Sequence, residues 1–101
     1  MDKKIIYQKA VKQFLFDYAS IPSTSKNFRY EVIADDQQNR YCLLRFGWNN
    51  KKWTHHCLFH FDIIEGKITV QQNWTDLKIE EELGVDKSDI VPGLWNSIFE
   101  A

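Results

Sequence analysis

Cysteine is scarce, with two residues in a chain of 101. Cys42 and Cys57 are too few for a disulfide framework, and they lack the CxxC spacing of a redox or zinc motif. Long apolar runs are missing as well. Nothing approaches the ~20 residues that a membrane span requires. The opening MDKKIIYQKAVKQ has neither an apolar signal core nor a small-residue cleavage site, so no secretory signal is expected and the predicted compartment is the cytoplasm. An excess of charge of one sign is also lacking. Thirteen basic residues stand against fourteen acidic ones, for a net charge of −1 and a pI near 6.3. A protein that grips DNA unaided usually shows a basic face or a high pI. There are no repeats and no low-complexity tracts. GxSxG, HExxH, P-loop and dinucleotide-binding fingerprints are all absent, so neither an enzyme nor a cofactor is expected.

The chain is rich in aromatic bulk. Apolar residues make up 44% and aromatics 15%, with four Trp and seven Phe, enough to fill one core without staples. Residues 1–101 therefore read as a single domain. From Lys3 to Ala19, Tyr7, Ala10, Val11, Phe14 and Tyr18 fall on one helical stripe, and Pro22 ends that helix. The period then changes. NFRYEVIAD, NRYCLLRFGW, KWTHHCLFHFDII and GKITVQQNW are β-rich and joined by the links DQQ, NNK and EG, too short for anything but antiparallel hairpins. TDLKIEEELG predicts a helix over 76–84, capped by Thr75 or Asp76 and closed by Gly84. DKSDIVPG reads as one further turn from an Asp86 cap, stopped at Pro92, and LWNSIFEA as an apolar segment that packs back on the body. The predicted fold is α+β: a single domain with a four-stranded antiparallel meander sheet, and an N-terminal and a C-terminal helix on one face, in the order α-β-β-β-β-α.

WTHHCLFHFD, Trp53–Asp62, gathers all three histidines and one cysteine. On a helix, His56 and His60 would suit a metal. On a strand, the spacing sets them ~13 Å apart at ~3.3 Å per residue, too far for one zinc with bonds near ~2.1 Å. No metal site is expected. Nor is a nucleophile: neighbours on a strand point apart, and alternation sends His55 and Cys57 to the core side with Phe59 and Phe61.

Alternation also predicts which residues face outward. With Cys42, Leu44, Phe46, Trp48, Cys57, Phe59, Phe61, Ile63, Ile68, Val70 and Trp74 turned to the helices, the outer face carries Tyr41, Leu43, Arg45, His56, Leu58, His60, Thr69 and Gln71. That mixture of Leu, Tyr, Arg and His is unlike an ordinary solvated sheet face and resembles the composition of protein interfaces. Tyr41, Arg45, His56, Leu58 and His60 are the candidate interaction surface.

GWNNKKW, CLFHFDIIEGKITVQQNWTD, IEEELGV and DKSDIVPGLW, taken in order, resemble the XisI family, the fdxN element excision controlling factors of cyanobacteria. The resemblance runs through Gly47, Trp48, Cys57, His60, Asp62, Ile63, Gly66 to Ile68, Gln71 or Gln72, Thr75 and Asp76. It continues through Glu82 to Val85, Asp89, Ile90, Val91 and Gly93, covering nearly the whole chain. Departures lie at Thr69, where the family often has an aromatic, and at Val91 to Trp95, where it often reads Leu-Gly-Phe-His. The resemblance implies an accessory factor for programmed excision of a DNA element by a site-specific recombinase, with a XisH-like protein as partner. It implies no catalytic residues.

Two functions from different classes fit these observations. One is a regulatory protein that binds a XisH-like partner, the recombinase, or a second copy of itself. The other is a directionality factor that touches DNA directly, through Arg29, Arg40, Arg45, Lys51 and Lys52 with Trp53 and Tyr41. Clustering of the five cations away from Glu31, Asp35 and Asp36 would favour the second.

Overall fold

The computed structural model describes residues 2–21 and 28–93. Helix α1, Lys3–Ala19, begins where the Asp2 carboxylate accepts a hydrogen bond from the Lys4 backbone N–H at 2.9 Å, satisfying one of the donors that every helix start leaves open. It ends where the Ser20 hydroxyl donates to the Asp17 carbonyl at 2.7 Å. Tyr7, Val11 and Leu15 are its buried residues, with Phe14 and Tyr18 packed beside them. The stripe is the expected one, except that Leu15 is buried where Ala10 is only half-buried. The break at Pro22 lies outside the described residues.

Four strands follow: β1 Phe28–Asp35, β2 Arg40–Asn49, β3 Lys52–Ile64 and β4 Lys67–Asn73. Each pairs antiparallel with the next, as the short links require. The expected four-stranded sheet gains a fifth member, however. β5, Ile90–Pro92, lies parallel to β4 in the register Ile68↔Ile90, Thr69↔Val91 and Val70↔Pro92. The sheet is therefore mixed. The connection 74–89 has the dozen or more residues that a parallel crossover needs, and Pro92 is tolerated because β5 is the edge strand.

The predicted helix over 76–84 shrinks to α2, Ile79–Glu82. Side chains compete for its first turn. Asn73 Oδ1 accepts from the Thr75 N–H at 2.9 Å, Asn73 Nδ2 donates to the Leu77 carbonyl at 2.7 Å, and Thr75 Oγ1 accepts from the Leu77 N–H at 3.2 Å. These bonds hold 73–77 as a loop, and Lys78, now at the N-cap, offers no capping side chain. Gly84, with φ 68°, turns the chain just past the helix, as a C-terminal glycine does. The turn from the Asp86 cap is present as a 3-10 helix, Lys87–Asp89. The LWNSIFEA segment lies outside the described residues.

The core forms between α1 and the sheet. Phe59 meets Phe14 and Tyr18 edge-on, with both ring pairs 5.1 Å apart, and Phe61 stacks beside it. Across β2, Phe59 faces Leu43 and Phe61 faces Tyr41, and all four side chains are fully buried. The helix side of β2 is thus Tyr41 and Leu43, the reverse of the alternation assigned from sequence. Cys42, Leu44, Phe46 and Trp48 point away from the helix.

Two bulges complete the reassignment. Leu43 pairs with Phe59 but Leu44 with Cys57, which leaves Leu58 as an extra residue in β3. Likewise His60 pairs with Gln72 but Phe61 with Val70, leaving Gln71 extra in β4. Each bulge shifts alternation by one residue. Cys57 and Phe59, expected on one face, are therefore split between two.

Candidate functional site

The five residues predicted to share an outer face do not share one. Tyr41 is wholly buried, and its hydroxyl donates to Asp36 Oδ1 at 2.7 Å. Burial, then the Asp36 carboxylate, raises its pKa. Arg45 lies on the helix side, cross-strand from Tyr30, with its guanidinium 4.2 Å over the Phe28 ring. Its Nε is buried and meets no acceptor among the described residues. His56 sits opposite Arg45, its ring 4.7 Å from that of Trp74. Leu58, the bulged residue, is buried, and its carbonyl accepts from the Trp74 N–H at 2.8 Å. Only His60 remains on the outer face.

The same bulge separates His56 from His60. His56 pairs with Arg45 on the helix side, whereas His60 pairs with Cys42 on the outer side. Alternation without a bulge would have kept them on one face.

His60 belongs to a polar cluster around Asp62. Its Nε2 lies 2.9 Å from Asp62 Oδ1, Arg40 Nε lies 3.8 Å from the same oxygen, and Gln71 Nε2 donates to Asp62 Oδ2 at 3.1 Å. The Asp62 side chain is nearly buried. Its partners occupy both oxygens, which makes the cluster a bracing network across β2, β3 and β4.

The β2–β3 strip of the outer face is largely apolar, bordered on β1 by exposed Arg29 beside Phe46 and Glu31 beside Leu44. Cross-strand rows place Ile33 beside Cys42, Leu44 beside Cys57, Phe46 beside His55, and Trp48 beside Trp53. The two indoles meet edge-on at 5.4 Å, and Phe46 lies 6.2 Å from Trp53 and 6.1 Å from His55. Trp48 remains 54% exposed and Trp53 49%. An antiparallel sheet with one open face normally turns polar side chains to water. Here the β2–β3 strip of the open face is aromatic. Sequence reasoning named Trp53 only as a DNA-stacking candidate and missed this surface by reversing the parity of β2 and not foreseeing the bulge in β3, although WNNKKW held the signal. A two-residue turn at Asn50 and Lys51 obliges Asn49 to pair with Lys52, and hence Trp48 with Trp53.

Thiol chemistry is disfavoured on this face. Burial, then the neighbouring Cys57, lifts the Cys42 pKa to about 11, and burial raises that of Cys57. Both thiols stay protonated at neutral pH, unlike the thiolate of a reactive cysteine. The described residues include no group of three or more His, Cys, Asp or Glu able to hold a metal ion. None of their helices is long and apolar enough to cross a membrane.

The five cations are dispersed. Arg40 faces Asp35 across the β1–β2 ladder and approaches Asp62, while Arg29 is exposed on the outer side of β1, two residues from Glu31. Arg45 is half-buried on the helix side, and only Lys51 and Lys52 stand together, at the β2–β3 turn. They form no single face away from Glu31, Asp35 and Asp36.

The overall fold recurs in solved structures. The chain is 39% identical to a XisI-like protein from Anabaena variabilis, with a TM-score of 0.81 over 90% of this chain and 86% of that one. It is 28% identical to the fdxN element excision controlling factor XisI from Anabaena variabilis, with a TM-score of 0.73 over 89% of this chain and 85% of that one. No curated protein matches. With 39% identity to a XisI-like structure, and a family model described as XisI protein matching residues 1–99, the chain belongs to the XisI family.

Proposed function

We propose that this protein is a non-enzymatic controlling factor for excision of a DNA element by a site-specific recombinase. It acts in the cytoplasm by binding protein, either a XisH-like partner or the recombinase itself. The observation that carries this reading is the open face of the sheet. Trp48, Trp53, Phe46 and Leu44 offer aromatic and aliphatic surface of the kind enriched where proteins meet. Support for the process comes from the structural relative named an excision controlling factor. Support for protein rather than DNA as the main contact comes from the dispersed cations, because DNA affinity rests on many neutralised phosphates.

One observation favours DNA as a second ligand. Exposed Lys51 and Lys52 stand at the turn beside exposed Trp48 and Trp53, a small pairing of cation and stacking platform. The two readings separate in one comparison. The tagged protein is co-purified with the XisH-like protein and with the recombinase, and its DNA affinity is titrated at two salt concentrations. A complex with either protein, lost in Trp48→Glu, together with weak DNA binding, is the expected result. Tight and steeply salt-dependent DNA binding without a protein complex would replace this reading with the second.

A further inference from the structure

Among the described residues, the β1 edge of the sheet is unpaired and has a chemistry of its own. β1 is the terminal strand of the order β1-β2-β3-β4-β5, and its eight residues pair with β2 without a register shift. Proteins guard such edges with proline, lysine, bulges or very short strands, because the outward backbone groups can template another strand. FRYEVIAD has no proline, lysine or bulge and is not short, and its charges, Arg29, Glu31 and Asp35, are of both signs and can pair across two copies. The bulges of this sheet lie within β2–β3 and β3–β4, and its proline lies on β5, at the opposite edge.

We propose that β1 pairs antiparallel with β1 of a second copy, making a two-fold dimer with a continuous ten-stranded sheet. The sequence of the strand selects the register. With Val32 opposite itself, Arg29 stands opposite Asp35 of the other copy, and the two-fold repeats that pair. Tyr30 meets Ala34, and Glu31 meets Ile33. A register centred on Glu31 would set two carboxylates face to face, which is unfavourable for directly opposed side chains.

Apolar side chains flank the edge in both layers. Ile33 is 47% exposed on the outer face. Phe16, 55% exposed, lies one turn beyond Lys12, on the side of α1 from which Lys12 reaches Asp36 at the β1–β2 turn. Residues paired along the whole of β1 would bury both. The dimer leaves the aromatic face open and joins two copies of it side by side, so each dimer would present a doubled surface to a partner.

The test is the oligomeric state of the full chain, measured by sedimentation equilibrium from about 1 to 200 μM and set against two variants. Ile33→Lys installs a guard that natural edges use. Arg29→Glu sets an acidic pair opposite Asp35 twice, each pair destabilising by a cross-strand term. Wild type should be a dimer. Each variant should weaken dimerisation on the order of tenfold, with unchanged far-ultraviolet circular dichroism. A wild type that stays monomeric throughout, or a dimer that neither variant weakens, overturns the proposal. Neither outcome depends on whether the XisH-like protein or the recombinase is bound.

Discussion

Asp89 ties the first helix to the far end of the chain. Its Oδ2 accepts from the Tyr7 hydroxyl and from Lys3 Nζ at 3.2 Å, and Lys67 Nζ lies 3.5 Å from Oδ1. The Tyr7 bond, then the Lys3 bond, holds its pKa below the ordinary carboxylate value, while the Asp89 hydrogen bond and burial push Tyr7 up to about 12. The signs follow from linkage. The Asp89 contribution is present above its unfolded pKa near 3.8 and is lost as pH falls through the lower folded value. The Tyr7 contribution is present below about 10 and is lost as pH rises toward about 12. Thermal melts should therefore show Asp89→Asn less stable than wild type at pH 7, with the gap closing below pH 4. Tyr7→Phe removes one hydrogen bond to a charged acceptor and should cost about 1–2 kcal/mol at pH 7. It should also flatten the loss of stability between pH 10 and 12.

A second residue carries a local cost. Glu65 and Gly66, at the β3–β4 turn, have φ of 51° and 76°. Two successive positive φ angles mark the hairpin turn that prefers Asn-Gly. Glycine adopts this region freely, whereas glutamate does so at a cost of about 1 kcal/mol. Glu65→Asn keeps the turn and should raise stability by about 0.5–1 kcal/mol in a urea titration. An unchanged midpoint would show that the Glu65 side chain is compensated elsewhere.

At the scale of elements, regular pieces were legible and irregular ones were not. The capped, periodic helix over Lys3–Ala19 and the three tight hairpins follow from spacing and link length, since those features act locally. The bulges at Leu58 and Gln71 follow from nothing local. Packing under α1 selects Phe59 and Phe61 together with Tyr41 and Leu43, and the ladder shifts to let all four point inward. The wrong parity of β2 misplaces Tyr41 and Arg45, and the unforeseen bulge in β3 misplaces His56 and Leu58, which leaves His60 alone where it was expected. The loss of most of the second helix has a different cause, the Asn73 and Thr75 bonds that outcompete its first turn. β5 escaped notice because three residues carry no period, and its partner is chosen by the crossover.

The attachment of β5 rests on Gly93. Its N–H donates to the Val70 carbonyl at 3.0 Å, and a Cβ there would collide with Gln71 Oε1 and sit 3.3 Å from Gln71 Cα. Gln71 in turn holds Asp62. Gly93→Ala should therefore loosen β5 and disturb the outer polar cluster together, at about 1–3 kcal/mol for overpacking. Hydrogen exchange should speed up at the backbone amides of residues 90–91 and at His60, while the α1 amides keep their protection. Protection unchanged at β5 would show that Gln71 swings aside without consequence.

For the whole molecule, the two faces of the sheet set up a contrast between stability and binding. The inner face holds the fold through fully buried aromatics, of which Phe59 touches both Phe14 and Tyr18. Phe59→Ala should cost about 3–5 kcal/mol, the usual price of a large cavity. The outer face carries equally large side chains, Trp48 and Trp53, that remain about half in water and touch chiefly each other and Phe46. An edge-to-face pair contributes about 0.5–1.5 kcal/mol beyond the area it covers, so Trp48→Ser with Trp53→Ser should lower stability by no more than about 2 kcal/mol. A fold-only explanation of these tryptophans would predict losses nearer that of Phe59. The double variant should instead remain folded in near-ultraviolet circular dichroism and fail to co-purify with the XisH-like protein or the recombinase. Retained binding would move the contact to another surface, such as the groove between α1 and α2 lined by Phe14, Tyr18, Ile21 and Leu77.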